Sequence, residues 1–292
     1  MLFRSQEVFG PVLHVIRYKR SELPQLVQSI NDSGYGLTLG IHTRIDETID
    51  FITKRAHVGN IYVNRNIVGA VVGVQPFGGE GKSGTGPKAG GPLYLKRLQR
   101  NAPAGAQHQR QAPPALDALT VWAKMHGHDQ VQQLAQEYAR TTLLGSTTVL
   151  PGPTGERNTL SFAPRGTILC AAATSGTLMN QLAAVLATGN QALVLAQSAG
   201  LVPGDLPAAL KDRIQVIHDL ASIQQDFQIA MIEPSLDGQL KAPLAAREGA
   251  LVGTIATTQE GVIPLWRLVA ERALCVNTTA AGGNASLMML SV

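Results

Sequence analysis

The chain has 292 residues and a net charge of +4, with 45% hydrophobic against 15% charged residues, a balance that supplies a packed core and excludes a disordered chain. Aromatic residues at 4% and a basicity spread thinly along the sequence argue against nucleic-acid binding. No apolar run approaches the ~18 residues of a membrane span. The opening MLFRSQEVFG has no signal-peptide core, and two cysteines, Cys170 and Cys275, exclude a disulfide scaffold and suit a reducing cytoplasm.

The length predicts about two domains. Residues 12–18 form a β-rich run. Ser21 stands as an N-cap before a helix with Leu23, Leu26, Val27 and Ile30 on one face, and Gly34 can end it. Residues 35–43 read as a strand, 46–55 as a helix with Ile45, Ile49 and Ile52 on one side, and 60–64 as another strand. Residues 69–92 hold nine glycines and three prolines, a density that predicts a long ordered loop without regular elements. Residues 101–114 (NAPAGAQHQRQAPP) read as an interdomain linker. Residues 116–138 read as helix, and residues 167–196 as a strand–helix–strand unit of Rossmann type. Residues 251–257 and 273–277 read as further strands. The fold class is α/β with parallel strands. The segment GNIYVN at 59–64 is faintly echoed by ALCVN at 273–277.

Several motifs invite chemistry. Gly81-Lys82-Ser83 is not a phosphate loop, because Pro76 stands where a glycine is required and Thr85-Gly86-Pro87 forbids the following helix. His126-Gly127-His128-Asp129 lacks a third ligand at metal spacing and reads as a polar helix end. Cys170 and Cys275 lie in apolar strand-like runs and read as buried, inert thiols without polar or basic surroundings. Gly69-Ala70 offers two successive N–H groups almost free of side chain, a nest suited to a carboxylate. In Pro76-Phe77-Gly78-Gly79, a ring on a stiff turn can cover the aliphatic part of a ligand; a structural glycine-rich connection accounts for the same residues. Glu7 and Phe9 point to one face of an extended segment, the carboxylate able to accept two hydroxyls of a ribose and the ring able to stack; an ordinary turn before a strand is the alternative.

Glu7-Val8-Phe9-Gly10-Pro11 resembles the E-x-F-G-P segment of the aldehyde dehydrogenase superfamily, and residues 74–84 (VQPFGGEGKSG) resemble its PFGG-x-x-x-SG segment. The longer stretch 69–79 is similar to the branch that oxidises glutamate γ-semialdehyde, the 1-pyrroline-5-carboxylate dehydrogenases. The stretch VNTTAAGGNASL at 276–287, with Met288-Met289-Leu290, resembles the C-terminal tail of long proline utilization A proteins.

The resemblance implies the C-terminal part of such a bifunctional, bacterial, cytoplasmic, homo-oligomeric enzyme of proline catabolism, whose parent can associate peripherally with the membrane. Residues 1–100 would be the C-terminal half of the aldehyde dehydrogenase catalytic domain, and residues 115–292 a degenerate aldehyde-dehydrogenase-like lid or oligomerisation domain. Glu7 would hold the nicotinamide ribose of NAD and Phe9 would pack beside the nicotinamide. Gly69 and Ala70 would bind the carboxylate of glutamate γ-semialdehyde, and Phe77 would lie on its methylene chain. The nucleophilic cysteine and the hydrolytic glutamate belong upstream of Glu7, as does a proline dehydrogenase domain with FAD, so the chain by itself is expected to be inactive. In the second domain, Ala173-Thr174-Ser175 stands where the family has its catalytic asparagine, and Ala196-Gln197-Ser198 where it has its adenine-ribose lysine. A free-standing, non-catalytic module that docks on a dehydrogenase subunit is the alternative.

Overall fold

The structure, a computed structural model, describes residues 8–68, 70–99, 113–223 and 226–279. Glu7, Gly69, residues 101–112 of the expected linker and residues 280–292 of the expected tail lie outside the described residues. The first elements are helix α1 (Leu23–Asp32), strands β1 (Tyr35–Gly36) and β2 (Thr38–Ile41), helix α2 (Asp46–Arg55), strands β3 (Asn60–Val63) and β4 (Glu80–Gly81), and helix α3 (Tyr94–Leu98). Next come α4 (Pro114–Met125), α5 (Asp129–Thr141), β5 (Thr147–Leu150), β6 (Glu156–Pro164), β7 (Thr167–Ala171), α6 (Ser175–Ala187) and β8 (Gln191–Leu195). Short helices α7 (Ala196–Ala199) and α8 (Ala208–Lys211), strands β9 (Ile214–Ile217) and β10 (Ile229–Ile232), helix α9 (Asp237–Ala245), and strands β11 (Gly253–Ala256) and β12 (Val269–Asn277) complete the order.

Local chemistry explains most boundaries. Helix α2 matches its expected bounds, with Asp46 and Glu47 in the first turn and Lys54 and Arg55 in the last, complementing the helix dipole while Ile49 is buried. Helix α1 starts later than predicted. Ser21 belongs to a 3₁₀ turn (Arg20–Glu22) and gives no cap; Glu22 holds the N-cap position, and Pro24 sits in the first turn, where its missing N–H costs nothing. Residues 12–18 form no strand: none of the strands among the described residues pairs with the run, and every residue in it is exposed. The expected strand at 35–43 divides into β1 and β2, and the expected helix at 116–138 breaks at Gly127, whose φ of +71° only glycine adopts without strain. The 69–92 loop is not wholly irregular. Its β4 pairs antiparallel with β1, and Phe77 bridges Ala89.

Two five-stranded sheets organise the molecule. The first is wholly parallel, in the order β11-β10-β7-β8-β9. Its residues alternate between two cores, as the two-residue period of a strand requires. Ile168, Cys170, Val194 and Met231 face the helices α4, α5 and α6, while Leu169, Ala171, Leu193 and Ile232 face α9. Helix α6 is buried from Thr177 to Ala187, so apolar residues on all its sides have partners. Asn180 on this helix is satisfied: it donates to the carbonyls of Thr258 and Gly261, and accepts from the Tyr138 hydroxyl at 2.6 Å.

The second sheet is mixed, in the order β2-β3-β12-β6-β5. Here the two echoed segments lie side by side: β12 runs parallel to β3, with Ala273 opposite Asn60 and Cys275 opposite Tyr62. The sheet therefore joins strands from before and after the expected linker. Ion pairs Arg65–Glu156 at 2.6 Å and Arg272–Glu80 at 3.4 Å, all four side chains largely withdrawn from solvent, reinforce that junction.

Candidate functional site

The Pro76–Gly79 turn is held from below by the end of β3. Asn60, 1% exposed, donates to the Pro76 carbonyl at 2.9 Å and accepts from the Gly78 N–H at 3.2 Å. Lys88, 2% exposed, donates to Asn60 Oδ1 at 2.9 Å and to the Gly78 carbonyl, and its own N–H donates to Glu271 Oε2 on β12 at 2.7 Å. Phe77 and Ala89 exchange both backbone hydrogen bonds. The approach is so close that a Cβ on Gly59 would overlap the Gly78 carbonyl oxygen, so glycine is required there. Phe77 is thereby placed on a rigid, half-buried turn. Burial drives the Lys88 ammonium down to about 8, against the opposing pull of Glu271 and Glu80. Burial likewise pushes the Glu271 carboxyl up, although the Lys88 N–H and charge oppose it.

A second cluster lies one strand away. Arg65 Nη1 donates to Glu156 Oε1 at 2.6 Å and reaches Cys275 Sγ at 3.0 Å. Gln75 Nε2 donates to Asn158 Oδ1 at 3.1 Å and to Cys275 Sγ at 3.3 Å. The expectation that Cys275 lacks polar or basic surroundings is therefore wrong: the sheet brings Arg65 and Gln75 to it from far along the chain. Burial still raises its thiol above the ordinary value despite Arg65. Cys170 is fully buried and its thiol is pushed far up by burial alone. Neither thiol is a poised nucleophile.

Phe9 is 89% exposed. Ala70 is half-buried at the other end of the glycine-rich stretch, where the Val71 N–H donates to Gln75 Oε1 at 3.2 Å. The structure thus ties the region of Ala70 to the Phe77 turn through Gln75. The roles of Asn60, Lys88 and Glu271 were not visible in the sequence. The Asn60–Asn64 strand pattern located the first, but nothing local marked its partners. The histidine pair is structural. Both rings stack on Trp122, at 5.1 and 4.8 Å between centroids, and His126 Nε2 lies 3.0 Å from Asp205. No group of metal-ligating side chains occurs among the described residues.

The parallel sheet has the strand order of a Rossmann fold, which reverses between β7 and β10, where such folds take a dinucleotide at the strands' carboxyl ends. In this chain the polar groups at that end of the sheet are taken by its own side chains. Glu233, following β10, accepts from the N–H groups of Ala173 at 2.8 Å and Thr174 at 3.1 Å, occupying with a carboxylate the donors that a phosphate would need. Gln181 donates to the carbonyl of Ala171 and to Thr257, and Ser198 to the carbonyl of Ala172. The first turn, Ala172-Ala173-Thr174-Ser175-Gly176, lacks the glycines that admit a pyrophosphate. These residues do not fit NAD.

A family model described as the aldehyde dehydrogenase family matches residues 1–101. This part of the chain is similar in sequence to the aldehyde dehydrogenase family, in keeping with the α/β fold. Over nearly its full length the chain is similar to bifunctional PutA proteins. It is 49% identical to "Bifunctional protein PutA" of Escherichia coli (strain K12), with 98% of this chain and 23% of that protein covered. With the PutA protein of Rhizobium meliloti the identity is 45%, covering 98% and 24%. A shorter match, 46% over 91 residues, links 31% of the chain to 17% of "1-pyrroline-5-carboxylate dehydrogenase 1" from Halalkalibacterium halodurans. The solved structure of Proline Utilization A from Corynebacterium freiburgense has the same fold over 94% of this chain and 26% of its own, at a TM-score of 0.64 and 24% identity. The chain spans about a quarter of the length of the PutA relatives it matches.

Proposed function

We propose that the chain acts as the C-terminal part of a PutA-type oxidoreductase that converts L-glutamate γ-semialdehyde, the open form of 1-pyrroline-5-carboxylate, to glutamate with NAD. Residues 1–100 contribute the substrate loop and part of the cofactor contact to an aldehyde dehydrogenase catalytic domain. Residues 115–292 form an aldehyde-dehydrogenase-like domain that serves as lid or oligomerisation surface, and residues 101–114 link the two. Gly69 and Ala70 bind the substrate carboxylate, Phe77 covers its methylenes, and Glu7 and Phe9 contact the nicotinamide half of NAD. Bound NAD would supply the hydride acceptor. The observation that carries this reading is the Phe77 turn, buttressed by Asn60, Lys88 and Glu271, in the stretch similar to 1-pyrroline-5-carboxylate dehydrogenases.

The chain by itself is predicted to be inactive. Aldehyde oxidation of this type needs a thiolate to add to the carbonyl, and burial holds both thiols protonated. NADH formation from the semialdehyde and NAD is the assay; turnover by the isolated chain would sink the reading. A second reading, a non-catalytic module docking on a dehydrogenase subunit, is favoured by uncovered apolar side chains: Phe9, Leu13 and Val72 are 89, 86 and 97% exposed. Adding a chain that carries the missing catalytic half in trans restores turnover only if such docking occurs.

A further inference from the structure

A cleft opens where the Thr85–Pro87 turn, α3 and the start of β12 meet the N-terminal ends of β10 and β11. Three guanidinium groups line it, from Arg97, Arg165 and Arg267, together with the Trp266 ring and Glu271. Arg165 spends its donors on neutral acceptors: the Arg267 carbonyl at 2.9 Å, Gln228 Oε1 at 2.8 Å and the Thr85 carbonyl at 3.3 Å. Arg267 donates to the Thr254 carbonyl at 3.0 Å. Among the described residues none of the three forms an ion pair, although Arg165 feels the charges of Glu80 and Glu271. Arg267 is held down to about 10, first by burial and then by repulsion from Arg97 and Arg165.

Like charges gathered in a partly desolvated cleft are costly unless an anion joins them. Arginine forks match the paired oxygens of a carboxylate or phosphate. Glu271 narrows that choice. It is 7% exposed, its Oε2 accepts from the Lys88 N–H, and its Oε1 is buried without a partner. A lone acceptor among cations favours an oxyanion that carries its own proton donor, and at neutral pH a phosphate group does. We propose that this cleft binds a phosphate group, with Arg97 and Arg267 holding its oxygens and Glu271 accepting its hydroxyl hydrogen.

Calorimetric titration of the full chain with inorganic phosphate, at constant ionic strength set by chloride, should give a saturable one-site isotherm. Sulfate has the oxygens and charge but no acidic proton, and should bind about tenfold more weakly or worse. R267M and R97M should each weaken phosphate about tenfold or more. R140Q, which removes an exposed guanidinium paired with Glu137 on α5, should leave it unchanged. Arg97 is exposed on a short helix, so R97M keeps the fold, as an unaltered circular dichroism spectrum would verify. No saturable heat, or unchanged phosphate affinity in R97M, overturns the site; equal affinity for sulfate overturns the role of Glu271. If glycerol phosphate binds more tightly than inorganic phosphate, the natural ligand is an ester resting on Trp266; the reverse order makes it free phosphate.

Discussion

The parallel sheet, β11-β10-β7-β8-β9, draws its strands and covering helices from one stretch of chain, residues 114–256. The mixed sheet, β2-β3-β12-β6-β5, is stitched from distant pieces; Asn277 reaches back across 213 residues to the Asn64 carbonyl. In the first, Glu233, Gln181 and Ser198 take the backbone groups at the carboxyl ends of the strands. The second holds the candidate substrate turn rigidly, yet the same part of the chain exposes the apolar side chains of Phe9, Leu13 and Val72. The two regions thus differ: the described residues at the carboxyl end of the parallel sheet do not fit a dinucleotide, whereas the mixed sheet holds the candidate turn.

Substitutions in the two sheets should differ most in stability. Leu169→Ala, in the centre of the parallel sheet and fully buried, should cost about 2–5 kcal/mol, whereas Leu39→Ala on the half-buried edge strand β2 should cost less than about 2, both read by urea denaturation. Equal losses would mean the mixed sheet is covered by more than the structure describes. Lys88 gives a pH signature of the second region. Its folded value of about 8 lies below the ordinary 10.5, so between those pH values the unfolded chain holds a proton that the folded chain has released. Stability should therefore rise with pH from about 8 to about 10.5, by at most about 3 kcal/mol, and K88M should flatten that rise.

Asn60→Ala removes an acceptor from Lys88 and both contacts to the Phe77 turn. A loss of about 2 kcal/mol is expected, with faster amide exchange at Gly78 and Ala89 and unchanged exchange in β7. The smallest effect should follow Glu233→Gln, about 1 kcal/mol, because a neutral amide still accepts from Ala173 and Thr174. No NAD binding should appear in that variant by equilibrium dialysis, since Ser198 and Gln181 remain in the crevice. Measurable binding would show that Glu233 alone closes it.

Local signals made some elements legible and left others hidden. Helix α2 could be read to the residue because its isoleucines recur at helical spacing and its charges suit the dipole. The β7-α6-β8 unit was readable because buried parallel strands are continuous apolar runs. Strand β6 escaped notice: it buries Asn158 alongside Leu160 and Phe162, and the polar inward residue masks the alternation. The run at 12–18 misled because β-rich composition does not create a partner strand. At the site, the turn itself was visible in its glycines and proline. Its supports were not, since Asn60 lies 16 residues from Pro76 and Glu271 lies 183 from Lys88. No local pattern records such a contact, nor did any reveal the guanidinium beside Cys275.

The insertion of β12 between β3 and β6 also bears on how the chain acquires its shape. During synthesis β3 emerges well before its inner neighbour, which follows only after the whole parallel sheet has been made. Closing so long a loop is entropically slow. The parallel sheet can therefore form first, while β3 waits with an unpaired backbone edge, the state most open to capture by other chains. Arrival of β12 ends that exposure and, through Glu271, fixes the Phe77 turn in the same event. The Phe77 turn is thus expected to become ordered after the parallel sheet rather than before it.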